Sequence, residues 1–158
     1  IFKAMDAVDS SPGTVYFAIS ITLLFALLWR TGGALDRVPI AAAAVMAMTW
    51  GDGLASIVGL KYGKHPYTTF GHTRSWQGSI AMVIAAFVVI LLTLAWLPGS
   101  ALSPNSARLP LWSVLLSSVI GASVAAVAEG FSPAGTDNLS VPLLTGLVLF
   151  ALNALPGG

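Results

Sequence analysis

Residues 50–82 read WGDGLASIVGLKYGKHPYTTFGHTRSWQGSIAM, and this stretch decides how the chain folds. It opens inside an apolar run and crosses Gly51-Asp52-Gly53. It then passes through a segment carrying Lys61, Lys64, His65, His72 and Arg74, and enters a second apolar run. Two hydrophobic segments joined by a short basic connection read as two membrane helices with a polar turn between them. Asp52 stands out because an acid within or beside a membrane span is costly and by default functional.

Composition extends the same reading to the whole chain. Of 158 residues, 56% are hydrophobic and 8% charged, where soluble domains carry roughly 25% charged residues. A core of this size cannot bury so much apolar surface, so lipid is the expected solvent. A net charge of +1 leaves no basic face large enough for nucleic acid. The absence of cysteine removes a disulfide framework, a thiolate metal site and a cysteine nucleophile.

The expected fold is all-α: one integral membrane domain, a polytopic bundle of about five transmembrane helices over residues 14–29, 38–60, 78–97, 111–129 and 141–155. Residues 1–13 read as an amphipathic lead-in without the continuous apolar core of a signal peptide. The chain opens on Ile1, and further helices are expected upstream of it. The Gly-Asp-Gly at 51–53 is expected to interrupt the second helix. Gly51, Ala55, Gly59 and Gly63 recur at four-residue spacing, as do Ser117, Gly121, Ala125 and Glu129. Small-residue stripes let helix backbones approach closely, so the second and fourth spans are expected to pack together and bring Asp52 towards Glu129. Ser75 is the expected N-cap of the third span, and Pro142 is expected in the first turn of the last.

Five crossings put residues 1–13, 61–77 and 130–138 on one face. That face carries four basic residues (Lys3, Lys61, Lys64, Arg74) against three on the other (Arg30, Arg37, Arg108). The excess of basic residues makes the first face cytoplasmic by the positive-inside rule. The two connections on it, 61–77 and 130–140, are the expected active-site loops.

Asp52, Glu129 and Asp137 all fall at helix ends on that face. Oxygen ligands without cysteine suit a hard cation such as Mg²⁺, which takes one or two carboxylates and completes its shell with water and phosphate. Lys61, Lys64 and Arg74, with the glycine backbone at Gly51, Gly53, Gly63 and Gly78, suit phosphate oxygens. The plainer readings are that Asp137 caps the last helix, that Asp52 pairs with a loop lysine, and that the basic loop touches anionic headgroups. The glycine spacing is neither a Walker loop nor a dinucleotide fingerprint, and no nucleophile elbow is present.

Set in order, Trp50-Gly51-Asp52-Gly53-Leu54-Ala55, Gly63-Lys64, Arg74-Ser75-Trp76-Gln77-Gly78-Ser79 and Asp137-Asn138-Leu139-Ser140-Val141-Pro142 resemble the phytol kinase branch of the CTP-dependent polyprenol kinase family. Dolichol kinase, CTP-dependent diacylglycerol kinase and, more distantly, the phosphatidate cytidylyltransferases belong to the same group. The resemblance implies a multi-pass enzyme that takes CTP and Mg²⁺ and phosphorylates an isoprenoid alcohol such as phytol. Position by position it implies roles for Asp52 and Asp137 as catalytic and metal-binding acids, and nucleotide contacts from Lys64, Arg74, Ser75, Gly78 and Asn138; Glu129 joins the expected metal ligands on its position alone. Arg74 stands where the family often has lysine, and Gln77 where it often has glutamate. Two rival readings share these residues: a cytidylyltransferase acting on a phosphatidate-type lipid, and a non-catalytic lipid-binding membrane subunit.

Overall fold

In the computed structural model of the chain, residues 13–29, 36–133 and 135–154 are described. They form five helices and one hairpin: α1 (Gly13–Leu28), α2 (Val38–Tyr62), β1 (Pro66–Thr69), β2 (His72–Ser75), α3 (Trp76–Trp96), α4 (Leu111–Phe131) and α5 (Asp137–Ala154). The expected helical bundle is the observed one. By length and composition α2, α3 and α4 are each able to cross a membrane, while α1 and α5 are shorter apolar helices. The lead-in before Gly13, most of the turn from Arg30 to Arg37 and the end of the last span at Leu155 lie outside the described residues.

Alanine and other small side chains let the helices close up. Ala41, Ala44 and Ala47 of α2, Ala86 and Ile90 of α3, Ala122 and Ala125 of α4, and Val141 and Leu149 of α5 make one continuous core. Large apolar residues such as Ile57, Ile84, Val119 and Leu147 point outwards instead, as a lipid-facing surface requires.

The helix α2 runs unbroken through Gly51-Asp52-Gly53, where an interruption was expected. Packing outweighs the roughly 1 kcal/mol helix penalty of each glycine: a Cβ on Gly51 would come within 2.5 Å of Met82 Sδ on α3. The partner of the α2 stripe is likewise α3, and not α4 as expected. A Cβ on Gly78 would meet Ala55 O at 2.9 Å, and one on Gly59 would meet Ser75 Oγ at 3.1 Å. The α4 stripe serves other neighbours, with Gly121 set against Ile90 of α3 and Leu149 of α5.

The last helix begins at Asp137 and not near residue 141, so Asp137-Asn138 is its first turn and Pro142 sits inside it. Proline has no N–H to give the carbonyl four residues back. That carbonyl belongs to Asn138, and it accepts from Ser20 Oγ of α1 at 2.9 Å. A fully buried serine thus satisfies the backbone group that Pro142 leaves free.

Residues 61–77 were expected as a loop, and within them lies an antiparallel hairpin in the register Pro66↔Ser75 to Thr69↔His72. Its two turn residues, Phe70 (φ 48°) and Gly71 (φ 80°), both have positive φ, the backbone of a tight two-residue turn matched to strand twist. Ser75 ends β2 and caps α3, its Oγ accepting from Gly78 N at 3.2 Å, as the sequence suggested. The hairpin, the C-terminal ends of α2 and α4, and the N-terminal ends of α3 and α5 therefore gather at one rim of the bundle.

Candidate active site

A cavity of about 520 Å³ opens at this rim, and Gly63, Arg74, Ser75, Gly78, Glu129 and Asp137 are among its walls. Each helix contributes where its geometry changes. Gly59 and Gly63 close the end of α2, Gly78 opens α3, Glu129 sits in the last turn of α4, and Asp137 starts α5. The cavity is shaped largely by backbone, because side chains are missing where α2 and α3 approach.

Arg74 is the centre of the charge arrangement. Its position in β2, opposite Tyr67 of β1, carries its guanidinium from the hairpin across to α4 and α5. There Nη1 pairs with Glu129 Oε1, and Nη2 lies 3.5 Å from Asp137 Oδ2. Nη2 also donates to the carbonyl of Ser132 at 3.3 Å. The three side chains are largely shielded, at 16%, 7% and 14% exposure for Arg74, Glu129 and Asp137. In so dry a place each charge needs its partners. The cluster is nevertheless incomplete, since among the described residues neither Glu129 Oε2 nor Arg74 Nε finds a hydrogen-bond partner.

Asp137 divides its oxygens. Oδ1 accepts from the N–H of Asn138 at 2.9 Å, terminating a free group at the helix start, while Oδ2 faces Arg74. The capping and functional readings of this residue are therefore compatible. Asp52 is half-buried on α2 and within electrostatic reach of both Asp137 and Arg74. It lies on the α2 face that continues, at helical spacing, through the cavity-lining Ala55, Ser56 and Gly59.

Other residues singled out from the sequence fall elsewhere. Gly51 is buried under Met82, and Gly53 looks onto open space. Lys61 is exposed and lies over the Tyr62 ring. Lys64 is exposed, and its backbone N–H donates to Gln77 Oε1 at 3.2 Å. Asn138 contributes its carbonyl to Ser20 and its N–H to Asp137.

Sequence reading missed several supports. Gln77 does not line the cavity. It braces the exit from α2, its Oε1 accepting from the N–H groups of Lys64 and His65, with Nε2 2.8 Å from His65 Nδ1. Tyr67 ties the hairpin down through a 2.7 Å bond between its hydroxyl and Ser79 Oγ. The available signal was the Pro-Tyr-Thr-Thr-Phe-Gly-His-Thr run, with β-branched residues flanking a Gly-containing turn.

The donor set around the cavity is all oxygen, and one buried carboxylate oxygen of Glu129 is unclaimed. These residues fit a hard divalent cation that draws further ligands from a phosphate chain. Among the described residues no three acids or histidines stand close enough to form a cation shell alone.

The fold and the site define a helical membrane protein with a carboxylate- and arginine-lined cavity at one rim. Comparison with known proteins narrows the class. The chain is 38% identical over 155 residues to the phytol kinase of Synechocystis sp., a match covering 96% of the chain and 59% of that protein. It is 33% identical over 151 residues to probable phytol kinase 2, chloroplastic, of Oryza sativa subsp. japonica, covering 92% of the chain and 45% of that protein. Phytol kinase 1, chloroplastic, of Arabidopsis thaliana is 29% identical over 142 residues, covering 87% of the chain and 42% of that protein. No family model and no solved structure matches. The chain spans about half the length of the curated relatives it matches. By these matches it is homologous to the phytol kinases along nearly its whole length, which supports the phytol kinase branch.

Proposed function

We propose that this chain carries the active site of a kinase that transfers the γ-phosphoryl group of CTP to a long-chain isoprenoid alcohol of the phytol type, at the cytoplasmic rim of the membrane. The observation that carries the reading is the incomplete cluster of Arg74, Glu129 and Asp137 on the cavity wall, in a chain matched by phytol kinases. Phosphoryl transfer asks mainly for positioning and charge neutralisation, and the cavity offers both in a shielded setting.

In this reading the nucleotide phosphates enter the cavity between Gly63, Gly78 and Arg74, where little side-chain bulk stands in the way. Lys64, exposed at the mouth, supplies a mobile positive charge. Glu129 and Asp137 would hold Mg²⁺, whose charge would offset that of the phosphates, with Asp52 to one side and within electrostatic reach of Asp137. Arg74 keeps the two acids together on the wall. The alcohol oxygen attacks the γ-phosphorus. The new O–P bond forms as the P–O bond to the CDP leaving group breaks, and the hydroxyl proton passes to a carboxylate, Asp137 or Asp52.

The test is label transfer in membranes. With γ-labelled CTP, Mg²⁺ and phytol, label is expected in the lipid fraction, and Asp137→Asn is expected to lose it. Label that moves from the α-position and not from the γ-position would replace this reading with a cytidylyltransferase. Transfer at the wild-type rate after neutralising Asp52, Glu129 and Asp137 in turn would leave a non-catalytic role.

A further inference from the structure

A second hollow lies outside the cavity. It is a groove of about 490 Å³ along the outer seam between α4 and α5. Val124, Val127, Phe131 and Leu144 wall it, and Ser132 and Ser140 stand together at its rim end. It covers about 14 Å of helix, from Ser123 to Ser132, at ~1.5 Å per residue. Ser123 donates its proton along its own helix to Val119 O at 2.8 Å, so the far part presents no free donor.

The two serines at the rim end differ from Ser123. Ser132 Oγ donates to Ala128 O at 2.6 Å. Ser140 Oγ donates either to Ser132 Oγ or to Thr136 O. Each hydroxyl has one proton and two lone pairs. With both protons committed inwards, Ser140 Oγ keeps acceptor capacity for a donor arriving along the groove. This polar end also adjoins the catalytic cavity. The Ser132 carbonyl receives Arg74 Nη2, and Ser140 lies one helical turn beyond Asp137.

We infer that this groove seats the isoprenoid chain of the alcohol substrate, with its hydroxyl resting on Ser140 Oγ at the boundary with the cavity, one helical turn from Asp137, and turning from that serine to the carboxylate when transfer begins. The inference rests on the kinase reading above and adds the lipid subsite to it. Polarity selects the occupant: an apolar trough that ends in hydroxyl acceptors beside an acid matches a hydrocarbon chain with one terminal O–H. A packed helix fits less well, because Val127 and Phe131 stand outwards at 59% and 62% exposure and hold a second backbone away from the small Ser123, Ala128, Ser132 and Ser140 at the floor. The seam between α4 and α5 then gives the alcohol a lateral entrance from lipid, while the nucleotide enters from water on the other side of the Arg74–Ser132 contact.

The test uses the protein in lipid nanodiscs and a phytol analogue carrying a diazirine on its chain. After illumination, label is expected on peptides containing residues 123–131 and 140–144, and excess phytol is expected to suppress it. Val127→Trp, which fills the groove, should cut labelling about tenfold and raise KM for phytol about tenfold more than KM for a short-chain alcohol. Label on other outward helix faces, or groove label displaced equally well by phospholipid, overturns the inference while leaving the kinase reading intact. Phytol-protected groove label without γ-phosphoryl transfer to any alcohol supports the subsite and sinks the kinase reading instead.

Discussion

Each rim of the bundle buries an acid, and the two rims treat it differently. At the rim away from the cavity, Asp36 is fully satisfied. Its Oδ1 accepts from Val38 N at 3.0 Å and its Oδ2 from Ser103 Oγ at 2.7 Å, while Ser106 Oγ donates to its carbonyl. The effect is to start α2 and to clasp the connection between α3 and α4 onto it. At the opposite rim Glu129 is equally buried, yet one of its oxygens has no partner, and its counter-ion Arg74 is shared with Asp137. Buried polar groups in stable folds are nearly always paired. The acid whose hydrogen bonds are complete is a structural clasp, and the cluster with unclaimed atoms is the one that the proposed function assigns to a ligand.

The sharpest way to break this contrast is to remove the shared cation. Arg74→Gln leaves Glu129 charged and buried without its partner, and should cost about 3–5 kcal/mol of stability, with partial recovery in Arg74→Lys. Denaturant unfolding of the detergent-solubilised protein reads this directly, and an unchanged midpoint would remove Arg74 from the centre of the site. Asp137→Asn comes next. Phosphoryl transfer should fall about 100-fold or more, with a smaller loss in unfolding than for Arg74→Gln, because the amide oxygen can still accept from Asn138 and Arg74 keeps Glu129, although the amide NH2 now faces the guanidinium. Asp36→Ala should do the reverse, losing about 1–3 kcal/mol of stability through the stranded Ser103 hydroxyl while kcat of the folded fraction holds. If Asp36→Ala abolishes turnover in a folded protein, the two rims are not divided as described. The smallest effect is at the hairpin tip, where Gly71→Ala at φ 80° should cost about 1 kcal/mol. Any loss of transfer beyond that would show that the hairpin's fine geometry, and not only its presence, sets the position of Arg74.

The elements differ in how far the sequence revealed them. The helices were legible because long apolar runs bounded by polar turns have few alternatives, and the cap at Ser75 because serine before an apolar run has a specific local geometry. The hairpin was not, because two four-residue strands with three threonines between them give a weak period-two signal inside a segment that composition marks as loop. The unbroken α2 was not legible either. Glycine propensity is a local quantity, and what overrides it at Gly51 is Met82, 31 positions away. Asp36 gave no signal as a clasp, since its partners Ser103 and Ser106 lie beyond two intervening helices.

By itself, then, the chain determined that it folds as apolar helices and that Asp52, Arg74, Glu129 and Asp137 are its chemically costly residues. Those conclusions follow from solvation, which acts on each residue type wherever it lies. Only the tertiary structure decided that Arg74 joins Glu129 to Asp137, that Asp52 stands to one side, and that a separate apolar groove ends beside them. Such pairings depend on which helix faces meet, and here α3 took the position beside α2 that the small-residue spacing had suggested for α4. Distance between side chains is a property of packing, and no local pattern in this sequence encodes it.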